Sequence, residues 1–169
     1  MKIIRKIDDI IAKGEETLLV VLLVSMIGLG FLQVVLRNVF HGGIEWADVF
    51  LRHAVLWVGL IGASLATKYE KHLNMDALSR ILSPKVKIIS NIFLNVIASA
   101  FSVLFVIASY YFIKDEFSFS AWDPLFLGTP AWIIELIIPF AFTMIAIRFL
   151  LLAIEKTIQF MEENKSKDN

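Results

Sequence analysis

A run of twenty residues without a charged side chain is the feature that most constrains how this chain folds. Residues 17–36 read TLLVVLLVSMIGLGFLQVVL and contain no Asp, Glu, Lys or Arg. A helix rises about 1.5 Å per residue, so this run covers roughly the 30 Å hydrocarbon core of a bilayer. A soluble helix of this length would carry a charged face opposite its apolar stripe. Because this run is apolar on all sides, it predicts a membrane-spanning helix.

The rest of the chain has the same character, since 58% of its 169 residues are hydrophobic. Three further apolar segments, at residues 44–67, 88–113 and 131–154, are long enough to cross a bilayer. We therefore predict an all-α integral membrane protein. Its four-helix membrane domain occupies residues 17–154, and residues 155–169 form a tail.

Residues 1–16 have a different pattern. Four isoleucines fall on one helical face, at Ile3, Ile7, Ile10 and Ile11. The charged residues lie elsewhere on the helix, which is typical of an amphipathic helix in the membrane interface. Gly14 would let the chain bend from this arm into the first span. The alternative is a solvated, frayed terminus.

The Lys and Arg residues outside the spans are unevenly distributed. They concentrate in the N-terminal arm, in the loop after the second span and in the tail, whereas the other two loops carry one each, Arg37 and Lys114. Because cytoplasmic loops are rich in Lys and Arg, we predict that both termini lie in the cytoplasm. Trp46, Trp122 and Trp132 would then lie near the outer interface, where indole rings are enriched.

Most of the ionisable residues of the second span lie near its start. Glu45, Asp48 and Arg52 are spaced three and four apart, so they share one helix face, and Asp48 and Arg52 are close enough to pair. One interpretation is an ion pair that holds this helix against a neighbour. The others are a conducting or proton-relay site, and an Arg52 side chain that extends to the interface.

Small and polar residues mark faces on which helices pack. The second span has two pairs of small residues four positions apart, Gly59 with Ala63 and Gly62 with Ala66. The third span has a polar stripe, made of Asn91, Asn95, Ser99 and Ser102. Both patterns favour contacts between helices. A substrate path along the polar stripe is the alternative.

The fourth span carries Glu135 near one end and Arg148 near the other. They lie roughly 20 Å apart along a helix, so they cannot pair with each other. Each therefore needs another partner or the interface. Pro139 removes one backbone donor inside this span and predicts a bend.

The sequence gives little support to enzymatic or redox chemistry. His41 and His72 fall in opposite loops and His53 lies inside a span, so two axial haem ligands at matched depth are missing. The absence of cysteine excludes disulfides and thiolate chemistry. No catalytic motif is present, and the zero net charge does not indicate nucleic-acid binding. We therefore predict a protein that is not an enzyme and has no cofactor or metal.

Several short motifs stand in a fixed order between residues 37 and 76. They are RNVF from Arg37, WAD from Trp46, then Arg52, Trp57, GLIGA from Gly59, and HLNMD from His72 to Asp76. In order and spacing they resemble the small, Q-type or DctQ-like membrane subunit of tripartite ATP-independent periplasmic (TRAP) transporters. The chain length and the four spans fit this family as well, although its usual pair of adjacent acids after the Trp is replaced by Glu45 and Asp48.

The resemblance implies that the chain works with other proteins in the bacterial inner membrane. A large, M-type subunit carries the substrate and sodium sites, and a periplasmic binding protein delivers an organic acid such as a dicarboxylate or sialic acid. The small subunit braces the large one, with lipid around both. The residues expected to make these structural contacts are Arg37, Glu45, Trp46, Asp48, Arg52, Trp57, Gly59, Gly62, Ala63, His72, Asp76, Asn91, Asn95, Glu135 and Arg148.

An alternative function comes from the carboxylates in or near the spans. A small homo-oligomeric channel or proton-coupled exporter would use Glu45, Asp48 or Glu135 as its ionisable site. Such a protein would transport without partners. A membrane redox subunit is a third hypothesis, which a visible absorption spectrum would test.

Overall fold

The computed structural model describes the backbone of residues 2–69, 84–120, 124–126 and 128–165. Its helices are α1 (Lys2–Val39), α2 (Glu45–Tyr69), α3 (Pro84–Ser120), α4 (Ala131–Glu135) and α5 (Ile137–Lys165). Strands β1 (Pro124–Phe126) and β2 (Thr129–Pro130) form a short antiparallel hairpin before α4. Four segments are long and apolar enough to span a membrane, namely Lys6–Val39, Glu45–Tyr69, Ile88–Phe119 and Ala131–Met161. The predicted helical architecture with four spans is confirmed.

The first helix is longer than the predicted first span. α1 runs from Lys2 through Gly14 to Val39, so the expected bend at Gly14 does not appear as a break in the helix. Ala12 and Glu15 are buried against the rest of the protein, while Ile7 and Ile10 are exposed. The segment before residue 17 therefore continues the first helix, because its polar face finds partners on other helices. Its location in the membrane interface stays a prediction.

A tight turn joins α1 to α2. His41 adopts a left-handed backbone conformation with φ of 52°, and Gly42 and Gly43 follow it. A Cβ atom at Gly43 would lie 3.4 Å from Arg37 Nε, so a side chain there would crowd the end of α1. α2 then starts with Glu45 and Asp48 in its first turn, where carboxylates interact favourably with the helix dipole.

The fourth span consists of two helical pieces. α4 ends at Glu135 and α5 begins at Ile137, two residues before Pro139, which has no N–H to donate to the carbonyl of Glu135. Between them, the Leu136 N–H bonds to Ile133 O at 3.4 Å, and the Phe140 N–H bonds to Leu136 O at 3.3 Å. The predicted distortion near Pro139 thus takes the form of a short break in the helix.

The four spans pack in the spatial order α1, α2, α5 and α3. Buried residues of α1 and α2 form one core, made of Ala12, Leu22, Ala54, Ile61 and Leu65. The apolar window of the α5 span is 33% buried, against 11% for the spans of α1 and α3. α2 and α5 are therefore the inner helices of the row, and α1 and α3 are its edges.

α3 and α5 form the most extensive helix pair. Ser99 Oγ donates a hydrogen bond to Ala146 O at 3.1 Å, and the rings of Phe105 and Phe142 stack with centroids 4.9 Å apart. Ser102 is buried as well. Part of the predicted polar stripe on α3 therefore faces α5, as expected for side chains that join helices in a membrane.

Candidate functional site

The polar contacts between helices form two clusters, which lie at different positions along the helix axes. We call the first the Gln33 cluster, which consists of Gln33, Arg37, Ile44 and Asp48. We call the second the Arg148 cluster, which consists of Asp8, Glu15, Ser64, Lys68 and Arg148. The α1 members Glu15 and Gln33 lie roughly 27 Å apart along the helix, close to the thickness of the hydrocarbon core. The two clusters thus bracket an apolar middle.

In the Gln33 cluster, one side-chain amide connects α1 to the turn before α2. Gln33 is 5% exposed, and its Nε2 donates to Ile44 O at 3.0 Å and to Asp48 Oδ1 at 3.2 Å. Its Oε1 accepts a hydrogen bond from the Ile44 N–H at 3.0 Å. Because both backbone groups of Ile44 bond to Gln33, this residue holds the turn in place.

The partner of Asp48 differs from the one that the sequence predicts. Asp48 Oδ2 pairs with Arg37 on α1, not with Arg52 on its own helix. Arg52 Nε instead donates to the backbone O of Asp48 at 3.3 Å. The predicted Asp48–Arg52 ion pair is therefore wrong. The side chain of Arg37 reaches the Asp48 carboxylate from the neighbouring helix, while Arg52 bonds to the backbone of its own helix.

In the Arg148 cluster, one guanidinium group joins three helices. Arg148 is 3% exposed. Its Nε donates to Asp8 Oδ1 at 2.9 Å, and its Nη2 donates to Glu15 Oε2 at 2.9 Å. Its Nη1 donates to the O and Oγ atoms of Ser64, at 2.5 Å and 2.7 Å. Arg148 on α5 is therefore bonded to both α1 and α2.

The acidic partners in the Arg148 cluster are themselves shared. Ser64 Oγ donates to the second carboxylate oxygen of Glu15 at 2.9 Å. Lys68 Nζ lies 3.6 Å from Asp8 Oδ2 and 2.8 Å from Asp9 Oδ1. Two cations thus face the carboxylates of the first helix. A charged group near the membrane is tolerated when it is paired in this way.

Sequence reasoning did not identify the three residues that bind Arg148 in this cluster. Asp8, Glu15 and Ser64 were not expected to bind Arg148, although the sequence did require a partner other than Glu135 for Arg148. One signal was present, since Asp8 and Glu15 are seven residues apart and so share a helix face.

Glu135 and Trp57 lie at the break in the fourth span. Trp57 Nε1 donates to Ile134 O at 3.1 Å, so α2 holds the last turn of α4. Within the described part of the chain, the buried Oε2 atom of Glu135 has no hydrogen-bond partner. Glu135 therefore does not pair with Arg148, in agreement with their predicted separation.

The small residues of α2 lie on two different faces. A Cβ atom at Gly62 would lie 3.8 Å from Leu19 Cδ1, so Gly62 faces α1. A Cβ atom at Gly59 would meet nothing within 4 Å, and Gly59 and Ala63 are exposed. Within the part of the chain that the structure describes, the Gly59 pair therefore does not pack against another helix.

The remaining predicted residues lie apart from the two clusters. Asn95 Nδ2 donates to Asn91 O at 2.8 Å within α3, and Glu45 and Trp46 are exposed at the start of α2. His72, Asp76 and Trp122 lie outside the described residues. So do Met75, Leu78 and Leu82, whose spacing predicts a short helix.

An open pocket of about 490 Å³ adjoins the Gln33 cluster. Arg37, His41, Glu45 and Asp48 are among its lining residues. Since Arg37 is already paired with Asp48, no unpaired Arg or Lys lines the described pocket to receive the carboxylate of an organic acid. Among the described residues, no three His, Asp or Glu side chains are placed to hold a metal ion.

Comparison with known proteins identifies a family for most of the chain. The family model described as "Tripartite ATP-independent periplasmic transporters, DctQ component" matches residues 26–158, which include the second and third spans, most of the fourth and part of the first. The C4-dicarboxylate TRAP transporter small permease protein DctQ of Pseudomonas aeruginosa is 25% identical over 167 residues, covering 82% of this chain and 80% of that protein. This match confirms the resemblance that the motifs of residues 37–76 indicate.

Two other relatives are matched over part of their length. The sialic acid TRAP transporter permease protein SiaT of Haemophilus influenzae is 27% identical over 96 residues, which are 57% of this chain and 16% of that protein. The DctQ protein of Vibrio cholerae is 28% identical over 118 residues, which are 70% of this chain and 47% of that protein. The chain therefore spans less than half the length of these two relatives.

Proposed function

The chain belongs to the family of DctQ components of tripartite ATP-independent periplasmic transporters, and we propose that it braces the large membrane subunit of such a transporter. It is a small permease subunit, a multi-pass protein of the bacterial inner membrane and not an enzyme. In this proposal the large subunit moves the substrate, and the small subunit stabilises the assembly.

One observation carries this proposal. The middle of each span lacks Asp, Glu, Lys and Arg, at residues 17–36, 53–67, 88–113 and 136–147. Transport sites for ions and charged substrates near the bilayer midplane are built from polar groups or broken helices at that depth. The charged residues of this chain lie instead near the ends of its spans, where they join its helices. This distribution supports a scaffold that positions another subunit.

The finer features of the transporter follow from its relatives and remain proposals. The relatives carry names for C4-dicarboxylate and sialic acid transport, so we propose an organic acid as substrate. A periplasmic binding protein would deliver it, and an ion gradient, with sodium as the coupling ion, would drive its uptake. Both termini would lie in the cytoplasm, as the distribution of Lys and Arg predicts.

Reconstitution tests the proposal directly. The chain, a large TRAP subunit from the same organism and the binding protein are purified, and the two membrane proteins are placed in proteoliposomes. Uptake of radiolabelled C4-dicarboxylate and of sialic acid is measured under an inward sodium gradient, with each component omitted in turn. We expect uptake only when all three are present, and a potassium gradient of equal size serves as the control.

Two results would contradict the bracing role. If the large subunit and the binding protein transport at the full rate without this chain, the chain does not contribute to the transport complex. If this chain alone moves solute or protons, the alternative function as a channel or proton-coupled exporter holds. In that case Glu135, with its unpaired carboxylate oxygen, becomes the first residue to replace.

A further inference from the structure

One face of α2 is left uncovered along the whole length of the helix. We call it the free α2 face, and its exposed residues are Glu45, Arg52, Val55, Leu56, Gly59, Ala63 and Ala66. With 100° between successive helix positions, these residues fall within about a third of the helix circumference. α2 is an inner helix of the row, so this face lies between the neighbouring helices α1 and α5 and not at an edge.

In the C-terminal half of α2, the free α2 face is made of small residues. Gly59, Ala63 and Ala66 follow one another at spacings of four and three, so a partner backbone could approach α2 closely there. The exposed face of α3 contrasts with it, because α3 presents bulky side chains such as Phe93, Phe101 and Leu104. Bulky apolar groups suit lipid chains, whereas a groove of small residues gains most from a packed helix.

Arg52 supplies the charge on this face. Arg52 lies roughly 10 Å along the helix axis from Glu45, the first residue of α2, and therefore lies within the span. Its one hydrogen bond within the described chain runs from Nε to the backbone O of Asp48, and no described carboxylate pairs with it. Charged residues within spans face protein partners or water far more often than lipid. An exposed arginine at this position is therefore complementary to an acidic group on another helix.

We propose that the free α2 face receives a transmembrane helix of the large TRAP subunit, and that this helix carries an Asp or Glu opposite Arg52. This inference rests on the proposed function, since it names the partner of the brace. The small residues provide close backbone packing, and the ion pair fixes the depth and rotation of the partner helix. The Arg37–Asp48 pair serves a different purpose, because it closes the α1–α2 turn within this chain.

A glycine substitution separates partner contact from folding. In Gly59→Leu, the added Cβ atom has no neighbour within 4 Å in the described part of the chain, so the exposed position leaves room for the side chain within the subunit. Gly28→Leu is the matched control, since Gly28 on α1 is exposed and equally open. Affinity-tagged variants are co-expressed with the large subunit and purified in detergent. We expect Gly59→Leu to lower recovery of the large subunit roughly tenfold or more, and Gly28→Leu to leave it unchanged.

Charge substitutions test the ion pair. Loss of one partner from a buried charge pair lowers affinity by about thirtyfold or more. We expect this loss for Arg52→Leu, a larger loss for Arg52→Glu, and partial recovery for Arg52→Lys. If Arg52→Leu binds as well as the wild type, Arg52 extends to the membrane interface and the proposed acidic partner is absent.

Photo-crosslinking identifies the occupant of the face. A benzoylphenylalanine residue is introduced at Val55, and at the exposed Val24 of α1 as control. A crosslink to the large subunit from Val55 but not from Val24 supports the proposal, while crosslinks to lipid or to a second copy of this chain overturn it. If the wild-type chain does not co-purify with the large subunit at all, the proposed function itself fails. If it does and every α2 variant also does, only this inference fails.

Discussion

A single guanidinium group on α5 bonds to residues of both α1 and α2. Arg148 is almost fully buried and has two carboxylates and a hydroxyl within hydrogen-bond distance. A lone arginine in this position would be costly, but here each of its three nitrogens donates to an acceptor. The same reasoning applies to Gln33, whose amide satisfies both backbone groups of Ile44. These two side chains carry the interhelical contacts that sequence periodicity does not reveal.

Replacement of Arg148 by methionine should destabilise the subunit. It leaves Asp8 and Glu15 without their main cation, and removal of one member of a buried ion pair costs about 3–5 kcal/mol. We expect a clear fall in the thermal unfolding temperature in detergent, followed by tryptophan fluorescence. Arg37→Met is the control, because its pair with Asp48 is 59% and 43% exposed and exposed pairs contribute about 0–1 kcal/mol. Equal stability of the two variants would show that the Arg148 cluster does not hold the helices together.

Replacement of Gln33 by leucine should loosen the turn between α1 and α2. Leucine has a similar size but cannot bond to the N–H and C=O groups of Ile44, and each unsatisfied buried group costs about 1–3 kcal/mol. Hydrogen–deuterium exchange at residues 41–46 should accelerate, while exchange in α3 stays as it is. Val34→Leu, on the exposed side of α1, provides the comparison. Unchanged exchange in the turn would mean that Gln33 does not hold it.

At the scale of elements, the break between α4 and α5 could not be located from the sequence, because the hydrophobic pattern of the fourth span continues across it. Pro139 cannot donate to the turn before it, and the indole of Trp57 bonds to Ile134 O near that point. α2 therefore supports the fourth span where the span is weakest. This contact also explains why Trp57 lies inside the protein and not at the membrane interface.

Replacement of Trp57 by phenylalanine keeps an aromatic ring but removes the bond to Ile134. Because a neutral hydrogen bond contributes about 0.5–1.5 kcal/mol, we expect a modest fall in the unfolding temperature. Hydrogen exchange should rise in residues 131–138 specifically. The exposed indole of Trp46 makes Trp46→Phe a suitable control, in which residues 131–138 should exchange as in the wild type. A rise of exchange in both variants would point to a general effect of indole loss.

At the scale of the whole molecule, the two polar clusters and the Lys and Arg distribution imply the same placement in the membrane. The clusters lie about one hydrocarbon thickness apart, so each would lie near one boundary of the bilayer. The positive residues of the N-terminal arm predict that the Arg148 cluster lies on the cytoplasmic side. The β1–β2 hairpin lies beyond the other end of α3 and would face the periplasm.

Cysteine labelling should establish this orientation without background, because the natural chain contains no cysteine. Phe119→Cys lies near the end of α3, where Phe119 is 88% exposed, and Lys13→Cys lies on an exposed position of α1. We expect a membrane-impermeant maleimide to label the first variant in spheroplasts and the second only after permeabilisation. The reverse pattern would show that the termini are periplasmic.

The sequence by itself determined the class of the protein, its four spans and its family. These properties depend on local composition and on the order of short motifs, so tertiary contacts were not needed to predict them. The ends of the spans were less certain, because helices α1, α3 and α5 continue beyond the apolar residues as polar or amphipathic turns.

The tertiary structure alone decided which charged residues meet. Asp48 pairs with Arg37 and not with Arg52, and Arg148 on α5 binds Glu15 near the other end of the chain. Helical spacing shows which residues share a face, but it does not give the rotation of that face or the helix that lies beside it. Those are set when the helices pack, and they leave Arg52 and Gly59 on a face that no helix of the described chain covers.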